Sequence, residues 1–223
     1  MSAQLHREIH VQTTASKQAG APVRRYLPKV FDLKGFGKLS RASIDAHLDL
    51  YQGYVVQTNA VLDSIAALEK VGGELVEDPA RPAESLAHRL SFELNGIVLH
   101  ELFFEQYLHG SAGASGSFER AACFNFGSFE QWQASVRAVA RTRGTGWVLT
   151  VYDEQRSFLH NVWVGSHDLH VPAAHRVVFV LDLWEHAYLN DYGVSGREEY
   201  VDAALGEICR ECMDARIDRA TVT

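Results

Sequence analysis

Gly110-Ser111-Ala112-Gly113-Ala114-Ser115-Gly116-Ser117 divides this chain. A run of small residues has no side chain to anchor in a core and leaves the backbone free, so it reads as a flexible joint. The periodicity differs on its two sides. Upstream, Ile44, His47, Leu48, Tyr51 and Val55 recur at three- and four-residue steps, which predicts a long helix over about 41–70. Ser40 is placed to cap its start and Val71-Gly72-Gly73 to end it. After a turn-rich link at Ala80 to Pro82, the residues Leu86, Leu90, Leu94, Ile97, Val98, Leu102 and Phe103 predict a second helix over about 83–108. Two long helices on a short link make a hairpin.

Downstream of the joint the pattern changes to short elements. Helices are expected around 118–122 and 128–141. Trp147 to Tyr152, Leu159 to Val164 and Arg176 to Leu181 are rich in β-branched and aromatic residues and read as strands. Short loops between them favour an antiparallel sheet. Helices at about 184–191 and 197–214 follow. The expected fold is α+β, with an N-terminal extension over 1–26, a helical hairpin over 27–110, and an α/β domain with a three-stranded antiparallel sheet over 118–223.

The chain has 223 residues, of which 47% are hydrophobic and 22% charged, the composition of a chain that buries a core rather than of a disordered one. Lys and Arg number 21 against 28 Asp and Glu, a net charge of −7 that argues against a phosphate-backbone partner. No apolar run approaches the ~20 residues of a membrane helix. Residues 1–25 lack the apolar core of a secretory signal and read as a mobile arm of a cytoplasmic protein, a transit peptide being the alternative. Three cysteines suit a reducing compartment. Cys209 and Cys212 form a C-x-x-C inside an expected helix, where they read as small helix side chains; a zinc site would need two more ligands.

Three of the eleven histidines stand out. His47 and His100 lie on the apolar faces of the two long helices. His186 follows the third strand, four residues after Asp182. A buried imidazole must be hydrogen-bonded or metal-bound to offset its desolvation, and both readings are open. If the four groups converge, three imidazoles and one carboxylate suit iron or manganese and allow an open coordination position.

Asp182-Leu183-Trp184-Glu185-His186-Ala187-Tyr188 resembles the D-x-W-E-H-A-Y-Y signature of the iron/manganese superoxide dismutases. The segments around His47 and His100 are similar to that family's first two ligand segments, Phe126-Gly127-Ser128-Phe129 to its F-G-S-F, and Gly144-Thr145-Gly146-Trp147 to its G-S-G-W. The resemblance runs from about Leu27 to the C-terminal helix. It implies one iron or manganese ion per subunit, held by His47, His100, Asp182, His186 and a solvent molecule, with superoxide as substrate. It implies a homodimer, with tetramers left open, in which Glu185 reaches the partner's metal-bound histidine. Trp147 and Trp184 would wall the site.

The resemblance also exposes departures. The family places a Gln or His beside the metal-bound solvent, in one version four residues before the second ligand; that position is Gly96. The other version comes from the loop after the second strand, where His167 stands and would be the donor. The gateway His becomes Tyr51, the gateway Tyr becomes Val55 with Tyr54 one step away, and the tyrosine ending the signature becomes Leu189. Two readings follow: either the Tyr51 hydroxyl lies near the substrate path, or the funnel has lost its proton relay. The second leaves a metal-binding protein of dismutase fold with weak or lost activity.

Overall fold

The structure is a computed structural model and describes residues 25–71, 80–108 and 116–218. Most of the expected joint, the Gly72-Gly73 cap and nearly all of the N-terminal arm fall outside the described residues. The hairpin helices are α1 (Arg41–Val71) and α2 (Ala80–Glu105). Ser40 caps α1 as expected, its Oγ accepting from the Ser43 N–H at 3.3 Å. Ile44, His47, Tyr51, Val55 and Thr58 form the buried stripe of α1, facing Glu93, Ile97, His100, Phe103, Phe104 and Tyr107 on and just beyond α2. Each helix thus buries one face against the other and carries one histidine inward on it.

Helices α3 (Ser117–Phe126) and α4 (Phe129–Ala140) lead into strands β1 (Trp147–Asp153), β2 (Phe158–Val164) and β3 (Arg176–Asp182). The strands form one antiparallel sheet in the order β2-β1-β3. The central strand β1 is buried along its whole length, and five of its seven residues are apolar or aromatic. Its register sets Trp147 opposite Val164 on one side and Asp182 on the other. Gly146 fixes that register. Its φ of +144° suits only glycine, a Cβ there would collide with the Val164 carbonyl, and its own carbonyl accepts from the Leu183 N–H at 2.9 Å. The start of β1 and the end of β3 are therefore tied together at Trp147 and Asp182.

The link expected at Ala80 to Pro82 instead forms the first turn of α2, and two later helices also differ from expectation. The segment expected over 184–191 is a 3₁₀ turn (Glu185–Ala187) followed by the single-turn α5 (Leu189–Tyr192). The helix expected over 197–214 is two, α6 (Arg197–Gly206) and α7 (Arg210–Asp218). The chain breaks between them because the Cys209 N–H leaves the helical ladder and donates to the Gln106 carbonyl at 2.9 Å, with Ile208 buried beside it. A tertiary hydrogen bond and a buried apolar side chain outweigh local helix preference. Cys209 accordingly caps α7 rather than lying within a helix.

Candidate metal centre

His47 from α1, His100 from α2, Asp182 at the end of β3 and His186 in the following 3₁₀ turn converge, each offering a ligand atom within 4.8 Å of the others. Asp182 and His100 are fully buried, and His47 is 6% exposed. The Trp184 N–H donates to Asp182 Oδ1 at 2.8 Å, and Asp182 Oδ2 lies 3.2 Å from both His47 Nε2 and His186 Nε2. The Nδ1–H of His100 donates to the Gly96 carbonyl one turn back, at 2.6 Å, which turns its Nε2 toward Asp182. An outer hydrogen bond of that kind fixes the tautomer in which Nε2 is the free ligating atom.

These residues fit an iron or manganese ion. His47 Nε2 and His100 Nε2 are buried with no hydrogen-bond partner, and the His47 contact with Asp182 lacks hydrogen-bond geometry. Buried polar atoms without partners are costly, and a cation among them would satisfy both. The protonation states agree. Burial lowers the His47 and His100 pKa values, keeping both imidazoles neutral. Burial would raise Asp182, but the His186 and His47 imidazoles more than offset it and hold the carboxyl below the usual range. Neutral imidazoles and an ionised carboxylate are the forms that bind a metal.

Around the cluster stands an aromatic wall. The Trp147 ring meets His100 edge-on at 4.9 Å, and Trp184 stacks with His167 at 5.4 Å and with His186 at 6.3 Å. His167 is fully buried beside them. Its loop is held by Asn95, whose Nδ2 donates to the His167 carbonyl at 2.7 Å. The Trp147 Nε1–H donates to His167 Nδ1 at 3.0 Å. Indole can only donate, so Nδ1 is the acceptor and the neutral ring carries its proton on Nε2. That Nε2–H meets the Tyr54 hydroxyl at 2.9 Å.

Burial lowers the His167 pKa to about 4. Between pH 6.5 and 4 the unfolded chain takes up a proton that the folded one refuses. This contribution to stability is complete above about pH 6.5 and is lost as pH falls toward 4. A shift of this size is worth up to about 3 kcal/mol. Chemical denaturation of chelator-treated protein across that window should show the loss, and His167→Gln should make the profile shallower. An equally steep profile in the variant would contradict the assignment.

Tyr51 lies elsewhere. Its hydroxyl accepts from the Lys29 backbone N–H and donates to Glu101, both at 2.8 Å, and its ring packs on Phe31 and Phe104. The tyrosine that reaches His167 is Tyr54, seven residues after His47 and therefore on nearly the same helical face. Its ring occupies the space over Gly96, where a Cβ would lie 2.6 Å from Tyr54 Cδ1. Phe92 completes this pocket, touching His167 at 4.6 Å and Tyr54 at 6.1 Å between ring centres. The sequence signal for Tyr54 was the missing side chain at 96, which makes room for a ring. Val55 is buried in the hairpin, Leu189 begins α5, and Glu185 is exposed with no side-chain partner among the described residues.

Comparison with known proteins agrees with this arrangement. Residues 114–211 match the family model described as iron/manganese superoxide dismutases, C-terminal domain. The chain is 32% identical over 173 residues to a protein of Cupriavidus metallidurans named superoxide dismutase [Fe], covering 76% of this chain and 84% of that one. It is 34% identical to superoxide dismutase [Mn] 1 of Halobacterium salinarum, covering 69% and 73% of the two chains. It is 31% identical to superoxide dismutase [Fe] of Pyrobaculum aerophilum, covering 78% and 81%. Relatives named for either metal match about equally well, so likeness does not select between iron and manganese.

Proposed function

The chain belongs to the iron/manganese superoxide dismutase family, and from that premise we propose that it disproportionates superoxide at the His47–His100–Asp182–His186 centre, giving dioxygen and hydrogen peroxide. The observation that carries this reading is the pair of unpartnered, buried imidazole nitrogens facing one buried carboxylate. A bound iron or manganese ion supplies the one-electron redox chemistry.

The chain's own residues do the rest. The three histidines and Asp182 hold the ion, with the Gly96 carbonyl and Trp184 N–H orienting two of them. Trp147 fixes the His167 tautomer, so His167 Nε2 donates to the Tyr54 oxygen. The Tyr54 hydroxyl proton is then free to be offered to reduced substrate. Burial pushes the Tyr54 pKa up to about 12, so the proton is in place at neutral pH. The buried Trp147 and the partly buried Trp184 and Phe92 wall this path. With net charge −7 the molecule as a whole repels an anionic substrate, so any attraction must be local.

In this reading Tyr54 and His167 form the proton relay, and the Tyr51 hydroxyl braces the segment before α1, at Lys29, against Glu101 of α2. Tyr51→Phe should then leave the rate of superoxide decay unchanged at every pH while costing about 1 kcal/mol of stability, the worth of a typical hydrogen bond. A slower rate with an altered pH profile would return Tyr51 to the substrate path. Glu185, exposed and without a side-chain partner among the described residues, supports a homodimer in which this carboxylate crosses the interface. The three unbonded cysteines support a cytoplasmic home. The proposed domains are a hairpin over 27–110 and an α/β domain over 118–223, after an N-terminal extension over 1–26. Among the described residues no helix is long and apolar enough to cross a membrane.

The test is superoxide decay measured by pulse radiolysis on protein loaded separately with iron and with manganese. Decay approaching ~10⁸ M⁻¹s⁻¹ with either metal is expected. Uncatalysed decay with both metals bound would favour the alternative, a metal-binding protein that has lost the reaction.

A further inference from the structure

The C-x-x-C lies outside the metal centre and has no part in the dismutase reaction. Its two sulfurs stand 2.8 Å apart, unbonded. Cys209 is the cap of α7 and is 1% exposed; Cys212, in the first turn, is half-buried. The Cys209 sulfur accepts from the Cys212 backbone N–H at 3.4 Å and from the Cys212 thiol. The Cys212 sulfur also contacts the carbonyl of Glu105, the last residue of α2, at 3.5 Å. Two thiols already in contact need only a small side-chain shift to reach the ~2.05 Å of a disulfide. The break between α6 and α7 makes this possible, because it frees Cys209 from helical geometry.

We infer that Cys209 and Cys212 form a redox-active dithiol that hydrogen peroxide closes to a disulfide. The site goes beyond the dismutase activity, although peroxide is that reaction's product. The half-buried Cys212 is the thiol that peroxide reaches. Its sulfur attacks one peroxide oxygen, the O–O bond breaks, and the departing hydroxide takes up the thiol proton as water, leaving a sulfenic acid. The Cys209 sulfur then attacks the Cys212 sulfur, the S–O bond breaks, and the hydroxyl leaves with the Cys209 proton as a second water. Both sulfurs together give up two electrons and peroxide accepts them. Burial pushes the Cys212 thiol up to about 12, so closure is slow at neutral pH and faster in alkali.

Arg210 lies between the two cysteines, which makes the outcome directly readable. The full chain carrying Cys123→Ser, to remove the exposed third thiol, is treated with hydrogen peroxide at neutral and alkaline pH. Remaining thiols are then alkylated and the protein is digested with trypsin without reduction. Cleavage after Arg210 puts Cys209 and Cys212 on separate peptides, so a disulfide holds the two together as one species lighter by two hydrogens than their sum. Dithiothreitol should split it. Cys212→Ser should abolish the linked species and leave Cys209 alkylatable. The inference is overturned if the peptides separate at both pH values, whether with intact thiols or with sulfinic or sulfonic groups. Because peroxide is added directly, the result stands apart from dismutase activity.

Discussion

Asp182→Ala is expected to empty the metal centre and lower superoxide decay at least about 100-fold. Asp182 is the one anion among the four converging groups, and its Oδ2 is in reach of His47, His186 and, at 3.8 Å, His100. Without it, three imidazoles would face one another with no counter-charge for a divalent or trivalent ion. Loss of an outer partner of a metal ligand commonly costs about 10–100-fold in affinity or activity, and a ligand should cost more. Asp182→Asn separates charge from shape, because it keeps an acceptor for the Trp184 N–H. Metal content by elemental analysis and decay by pulse radiolysis should fall in both variants. Full metal content with a normal rate in either would remove Asp182 from the ligand set.

Gly96→Ala should act on rate while sparing metal. In an exposed helix interior this exchange stabilises by up to about 1 kcal/mol, because glycine is a poor helix former. Here the sign reverses. The added Cβ would lie 2.6 Å from Tyr54 Cδ1 and 2.8 Å from Cγ, and the ring is already in contact with Phe92, His100 and His167. The ring must move, and the Tyr54–His167 hydrogen bond breaks with it. The His100 ligand is spared, since the backbone carbonyl it uses belongs to alanine as much as to glycine. Loss of a positioned proton donor typically costs about 10²–10⁴-fold where it acts fully, and a displaced one should cost at least about tenfold. Tyr54→Phe should reproduce the loss without the clash. The double variant should be no slower than the worse single one, because both remove the same bond. Strictly multiplicative losses would show that residue 96 acts by another route.

The proposed ligand set was legible in the sequence because each member breaks a pattern. His47 and His100 interrupt apolar helical stripes, and Asp182 and His186 follow a strand at a four-residue spacing. The hairpin and the three strands were legible for the related reason that a strong period survives single-sequence reading. The proposed proton relay was not. Tyr51 and Tyr54 sit on adjoining turns of one helix, and spacing alone favours Tyr51, the substitute for the family's gateway histidine. What decides between them is space on the facing helix, where Gly96 admits a ring, and the Lys29 N–H and Glu101 that occupy the Tyr51 hydroxyl. The split of the last helix was equally hidden, since it depends on the Gln106 carbonyl about a hundred residues earlier.

The aromatic wall has an optical consequence. Of the four tryptophans, Trp147 and Trp184 are in ring contact with His100 or His186, whereas Trp132 packs against Phe118, Phe129 and Phe179 in the α/β domain. Two indoles thus stand against the imidazoles that would ligate a paramagnetic ion, which quenches nearby excited states. Their emission should dim as metal enters while that of Trp132 persists as an internal standard. The protein thereby carries a built-in gauge of its own metal occupancy, readable in a cuvette without reference to turnover.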